Sequence, residues 1–105
     1  MKSGKRQPTP PGEILRYDLM EPLGITQPEL ASYLHVSRRR INEIYQGVRD
    51  ITEDSALRLQ AATGVPAEFW LHLRYRKSLW EARQNSDDID TIRLLHEFDI
   101  NNDTD

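Results

Sequence analysis

The chain has 105 residues, no cysteine and a formal net charge of −3. That length allows one small domain with a modest core, and the missing thiols exclude disulfides, zinc fingers and thiol chemistry, which suits a reducing cytoplasm. No apolar run approaches the ~20 residues of a membrane span and the proline-rich start lacks the apolar stretch of a signal peptide, so a soluble cytoplasmic protein is expected.

The charge is unevenly divided. Residues 84–105 carry −6, with Arg93 alone against seven Asp and Glu, and residues 1–83 carry +3. A mildly basic domain (10–84) is therefore expected between an N-terminal arm (1–9) and an acidic C-terminal extension (85–105). The arm is polar and basic and reads as disordered.

Pro10 and Pro11 introduce a first helix of about Gly12–Met20 with Ile14, Leu15 and Leu19 apolar, and Pro22–Leu23–Gly24 is expected to stop it. Thr26 caps a second helix, and Glu29 completes a capping box. Leu30, Ala31 and Leu34 fall on its inner face, and His35 and Val36 make a turn. Ser37 caps a third helix whose inward residues are Ile41, Ile44 and Tyr45, ending at Gly47. Thr52 caps a fourth helix, about Glu53–Thr63, with Glu53 and Asp54 well placed for the helix dipole. Gly64 ends it, and Pro66 at the first helical position opens a fifth helix to about Gln84. After a break at Gln84–Asp88, Ile89, Ile92, Leu95 and Phe98 suggest a short terminal helix. Five helices, short loops and no alternating strand pattern make an all-α domain.

The second and third helices carry the chemistry. Two helices joined by a tight turn, with a small residue (Ala31) and an aliphatic turn residue (Val36) between them, can present the second of the pair to a DNA major groove. At about 100° per residue, Arg39, Glu43 and Gln46 point away from the buried stripe of the third helix, with Asn42 and Arg40 on its flanks. Arg38 lies in the first turn, the end that enters the groove. Arg offers a bidentate fork to guanine, Asn to adenine, and Glu can accept from cytosine N4. Arg38, Arg39, Asn42 and Glu43 therefore hold sequence-reading chemistry, where a lysine-rich helix would offer mainly charge. A solvated charged face is the bland reading of the same run, but caps, turn and core pattern all agree with a helix-turn-helix.

The fifth helix carries more apolar surface than one face buries. Phe69, Leu73 and Trp80 are expected to close the core, with Trp70 and Leu71 beside or beyond that stripe. The surplus favours a homodimer seam over pure core packing, and two heads one turn of DNA apart read both halves of a palindrome.

From Pro10 to Arg83 the chain resembles the HigA-type (VapI-like) antitoxins of the Xre/Cro helix-turn-helix regulators. The resemblance rests on PGEIL in the first helix, EPLG at its end, SRRRINEI in the third, ALRL in the fourth and EFW in the fifth. It implies a five-helix lambda-repressor-like domain with a short C-terminal extension. It also implies an antitoxin that binds double-stranded palindromic operator DNA as a homodimer, represses its own operon and neutralises a HigB/RelE-like mRNA-cleaving toxin. By position in the motif, Gln27 would clamp a phosphate, Ser37 and Arg40 would contact the DNA backbone, and Arg38, Arg39, Asn42 and Glu43 would face bases. A stand-alone Xre-family regulator with no toxin is the other reading. An enzyme is disfavoured: His35, His72 and His96 lack metal-ligand spacing, and no phosphate loop or nucleophile motif is present. No catalytic residue, cofactor or metal is expected, the Asp87–Asp90 carboxylates reading as solvent-facing.

Overall fold

The structure is a computed structural model that describes residues 7–96. Of the N-terminal arm only Gln7–Thr9 is among them, without regular structure, and Phe98 with the rest of the acidic end lies outside the described residues. Five helices are present there and no strand.

The first helix, α1, is continuous through an α turn Pro11–Glu13, a π segment Ile14–Met20 and a second α turn Glu21–Leu23. Pro22 therefore does not stop it. A proline inside an α-helix removes an N–H and clashes with the carbonyl four residues back. The wider π register, in which Glu21 N–H bonds to Arg16 O, gives room for that ring. The helix ends at Gly24, the last residue of the expected stop, whose φ of +66° is left-handed.

The second helix, α2, spans Gln27–Leu34 and carries the expected capping box: Glu29 N–H donates to Thr26 Oγ1 (3.3 Å) and Thr26 N–H to Glu29 Oε1 (2.9 Å). His35 ends it with φ +56°, and Val36 N–H reaches back to Ala31 O at 3.0 Å, closing the turn. The third, α3, spans Arg38–Tyr45, with Ser37 Oγ accepting from Arg40 N–H at 3.0 Å. The fourth, α4, spans Glu53–Thr63 under a Thr52 cap and stops at Gly64. The fifth, α5, runs from Ala67 to Asn85. Pro66 is its cap residue, one position earlier than expected, and its first N–H is held by Gln60 Oε1 at 2.7 Å.

Leu15, Leu30, Ile41, Ile51 and Leu59 are the largest fully buried side chains, so every helix but the last contributes to or borders the centre of the core. The last helix closes that core with Ala67, Trp70 and Leu73. This corrects the sequence expectation: Trp70 is 3% exposed, whereas Phe69 is 44% exposed and meets the Trp70 ring edge-on at 5.2 Å. Trp80 is only half-buried. Beyond Asn85 the expected terminal helix is, among the described residues, one 3-10 turn, Ile89–Thr91, and Ile92 is already extended. Ile92, Leu94 and Leu95 stand at least 71% exposed. An amphipathic helix with nothing to pack on has little to stabilise it, and the Thr91 hydroxyl satisfies Asp88 O locally at 2.6 Å.

Candidate nucleic-acid interface

The seat of α3 is set by backbone. Gly12 is buried where α1 begins, and a Cβ there would lie 2.5 Å from Tyr45 O and 2.6 Å from Ile44 O. Only glycine lets the start of α1 approach the end of α3 so closely, and the positive end of one helix dipole there meets the negative end of another.

On the other flank, α3 is tied by charge. Arg40 Nη1 donates to Asp54 Oδ2 at 2.7 Å and to Ser55 Oγ at 3.4 Å. Asp54 also accepts from Arg58 Nε at 2.9 Å, and Arg58 Nη1 donates to Leu34 O at 3.1 Å, the carbonyl end of α2. One carboxylate thus links α2, α3 and α4. The hydrogen bonds from Arg40 and Arg58 hold the Asp54 carboxyl below its ordinary pKa, so it stays ionised.

With Ile41 and Ile44 buried, Tyr45 packed against the core and both flanks fixed, Arg38, Arg39 and Asn42 are left on the open side of α3. Gln27, Pro28, Arg38, Arg39 and Asn42 line one shallow groove between the starts of α2 and α3. Asn42 Nδ2 donates to Gln27 Oε1 at 3.1 Å across that groove, which fixes the direction of both amides. Arg39 is open, with its side chain 84% exposed. Ser37 Oγ accepts the capping bond and keeps its own proton free to donate outward. Arg40 lies apart from the groove, turned towards α4.

Glu43 is outward by angle but only 23% exposed, because two arginines flank it. Arg39 Nε donates to one carboxylate oxygen at 2.9 Å and Arg49 Nε to the other at 2.8 Å. Those bonds hold the Glu43 carboxyl below its ordinary pKa. Arg49 was invisible to periodicity, since it lies in the loop after α3. It arrives beside Glu43 because the chain turns at Gly47, with φ +81°, and because Val48 and Arg49 N–H groups both bond to Glu43 O, at 2.9 and 3.2 Å.

Two helices crossing through a tight turn, the second held so that an arginine-rich face stands clear of the core, define a helix-turn-helix DNA-binding domain. A helix-turn-helix family model matches residues 17–70, and the chain belongs to that family, in its Xre branch. Virulence-associated protein I of Dichelobacter nodosus is 44% identical over 82 residues, spanning 78% of this chain and 76% of its own. The HTH-type transcriptional regulator YbaQ of Escherichia coli is 39% identical over 85 residues (81% and 75%), and antitoxin HigA-1 of Vibrio cholerae 36% over 83 (79% and 78%). Among solved structures, PA4674 of Pseudomonas aeruginosa, in complex with its operator DNA, matches with a TM-score of 0.80 at 32% identity, covering 87% of this chain and 100% of that one. Pseudomonas aeruginosa antitoxin HigA with the higBA promoter matches at 0.74 and 33%, covering 90% and 98%. Among the described residues no helix is long and apolar enough to cross a membrane.

Proposed function

We propose that this chain is a HigA-type antitoxin that binds its own operator as a homodimer, represses its operon and neutralises a HigB/RelE-like toxin. The observation that carries the DNA-binding part is the groove where Gln27, Arg38, Arg39 and Asn42 converge, in a chain whose structural likeness extends over nearly the whole of two neighbours solved with operator or promoter DNA. In this reading Gln27 holds a phosphate, Ser37 and Arg40 contact the DNA backbone, and Arg38, Arg39, Asn42 and Glu43 face the bases. Residues 10–84 form the DNA-binding domain and 85–105 an acidic extension.

For the dimer, the seam is the outward side of α5, where Phe69, Tyr75 and Leu79 are each at least 44% exposed. Sedimentation at micromolar concentration, with Tyr75 and Leu79 replaced by serine, checks it, and a folded wild-type monomer rejects it.

The reading head is tested by titration on the chain's upstream DNA and on a scrambled duplex. Arg39→Ala should cost on the order of tenfold to a hundredfold on the operator and relax preference at one base pair. Gln27→Ala should weaken both duplexes alike, because a phosphate contact carries no sequence information. Equal losses on both duplexes for Arg39→Ala would reject its role as a base reader.

The toxin is tested by co-purification with the product of the neighbouring gene. If the acidic extension meets a basic toxin, deleting residues 85–105 slows association and removes much of its salt dependence, while operator binding survives. Unaltered neutralisation would make the extension a solubilising one. A stand-alone regulator is the second reading, favoured by the 39% identity to YbaQ, a protein named for transcription alone. Failure of any neighbouring product to bind selects it.

A further inference from the structure

We infer that Glu43 is a positioning residue that holds two arginines towards DNA, and that the second of them, Arg49, is a phosphate contact beyond the end of α3. The inference rests on the DNA-binding reading and changes the part Glu43 plays in it.

Both oxygens of the Glu43 carboxylate are engaged: Arg39 Nε on one at 2.9 Å, Arg49 Nε and Nη2 on the other at 2.8 Å each. A carboxylate with both oxygens drawn to guanidinium groups has poor capacity left for cytosine N4. Its partners gain what it loses. Bound through Nε, Arg39 keeps both terminal nitrogens, the pair that forks onto guanine O6 and N7, and points them along a fixed direction. The fork is oriented before DNA arrives, so less side-chain freedom is lost on binding.

Arg49 shares the same anchor but not the same reach. Its Nη1 makes no hydrogen bond among the described residues, and its side chain is 43% exposed. In a helix-turn-helix the start of the second helix meets base edges, so a loop past its far end lies over the backbone. The backbone bonds from Val48 and Arg49 to Glu43 O hold that loop against the helix, which keeps the Arg49 charge on the DNA side. A phosphate is the ligand this geometry fits.

Titrations of wild type, Arg49→Ala, Glu43→Gln, Arg39→Ala and the Arg39→Ala/Glu43→Gln double variant test both parts. Each is run on the upstream duplex, a scrambled duplex and a panel of single base-pair changes, at several salt concentrations, with thermal unfolding as the check on folding. Arg49→Ala should weaken cognate and scrambled DNA alike and lower the salt slope by about one per bound head. Glu43→Gln should lose preference at the same base pair as Arg39→Ala, and the double variant should lose no more preference there than Arg39→Ala alone, its further loss being the sequence-independent one of a released Arg49. Glu43→Asp, which keeps the charge but retracts it, repeats the measurement should Glu43→Gln fail to fold. Loss at a different base pair means that Glu43 reads a base itself, and no loss means that it positions nothing; either overturns the inference, as does an unchanged salt slope for Arg49→Ala. Wild type without preference for its upstream duplex rejects the DNA-binding reading instead, before any variant is compared.

Discussion

The third and fifth helices are held by opposite means. The third contributes only Ile41 and Ile44 to the fully buried core, yet its position is fixed on three sides: by a left-handed turn at His35, by backbone contact at Gly12, and by the Arg40–Asp54 ion pair. The fifth docks chiefly by burying Ala67, Trp70 and Leu73, with the Gln60 and Arg74 contacts guiding its entry and its middle. A helix that must present side chains to a ligand needs its rotation defined by directional contacts. A helix that closes a core needs only shape and area. The contrast makes each helix sensitive to a different kind of substitution.

The largest effect should come from the apolar side of that contrast. Trp70→Ala should cost about 3–5 kcal/mol in chemical denaturation, as for other buried aromatics, while Phe69→Ala on the neighbouring, half-open position should cost about 1 kcal/mol or less. Trp70→Phe should be milder than Trp70→Ala, because Trp70 Nε1 is buried without a hydrogen-bond partner among the described residues and phenylalanine removes that donor. If Phe69 lines the proposed dimer seam, its cost will depend on protein concentration and that of Trp70 will not. Equal costs at high dilution would mean that the two rings share the core.

Much of this was legible in the chain, and the same contrast explains where it was not. The caps at Thr26, Ser37 and Thr52 and the stop at Gly64 have causes within three residues of each site, and all four stand as expected. The buried stripe of α3 was equally plain, because charges fill the rest of its circumference. In α5 apolar residues lie all round, so periodicity selects no face. Burial of Trp70 instead of Phe69 goes with burial of Ala67 and Leu73 against the other helices, a choice of face made by tertiary packing, and Gln60 on Ala67 N–H holds only the helix start. The first helix runs to Leu23, past the expected Met20, because the π segment before Pro22 relieves the clash that an unbroken α-helix would impose. Arg49 joins the site only through a chain reversal, which no spacing rule reports.

Gly12→Ala tests the backbone contact that seats α3. The added methyl would press on two carbonyls that belong to a helix end and cannot rotate away, so a loss of about 1–3 kcal/mol is expected in spite of alanine's better helix propensity. Operator affinity should fall with it, since the end of α3 must shift to relieve the clash. A variant as stable as wild type would show that α1 and α3 separate easily and that the contact does not define the rotation of α3.

The turn at His35 predicts a gain. A non-glycine residue at φ +56° costs about 1–2 kcal/mol relative to the right-handed region, partly offset by the greater freedom glycine has when unfolded. His35→Gly should therefore stabilise the domain by about 0.5–1 kcal/mol in denaturant titrations. A loss of stability would mean that the His35 side chain contributes more to the turn than its exposure suggests.

The smallest effect concerns the ion pairs, because exposed pairs contribute little and salt weakens them further. Arg40 and Arg58 hold the Asp54 carboxyl below its ordinary value, and Arg39 and Arg49 do the same for Glu43. For a group whose pKa is lower folded than unfolded, the stability it adds is present above the unfolded value of about 4 and disappears as pH falls through the folded one. Melting temperature should therefore decline as pH drops below about 4. In Asp54→Asn the decline should be shallower, starting from a slightly lower melting temperature at neutral pH and converging with wild type in acid. Raising the salt at neutral pH should narrow the same gap without closing it, because the Arg40 side chain is only 30% exposed and is screened less than Asp54 itself. Parallel pH curves for the two proteins would show that α3 is held by its turn and its backbone contact alone, with the charges at its flank left free to serve the DNA.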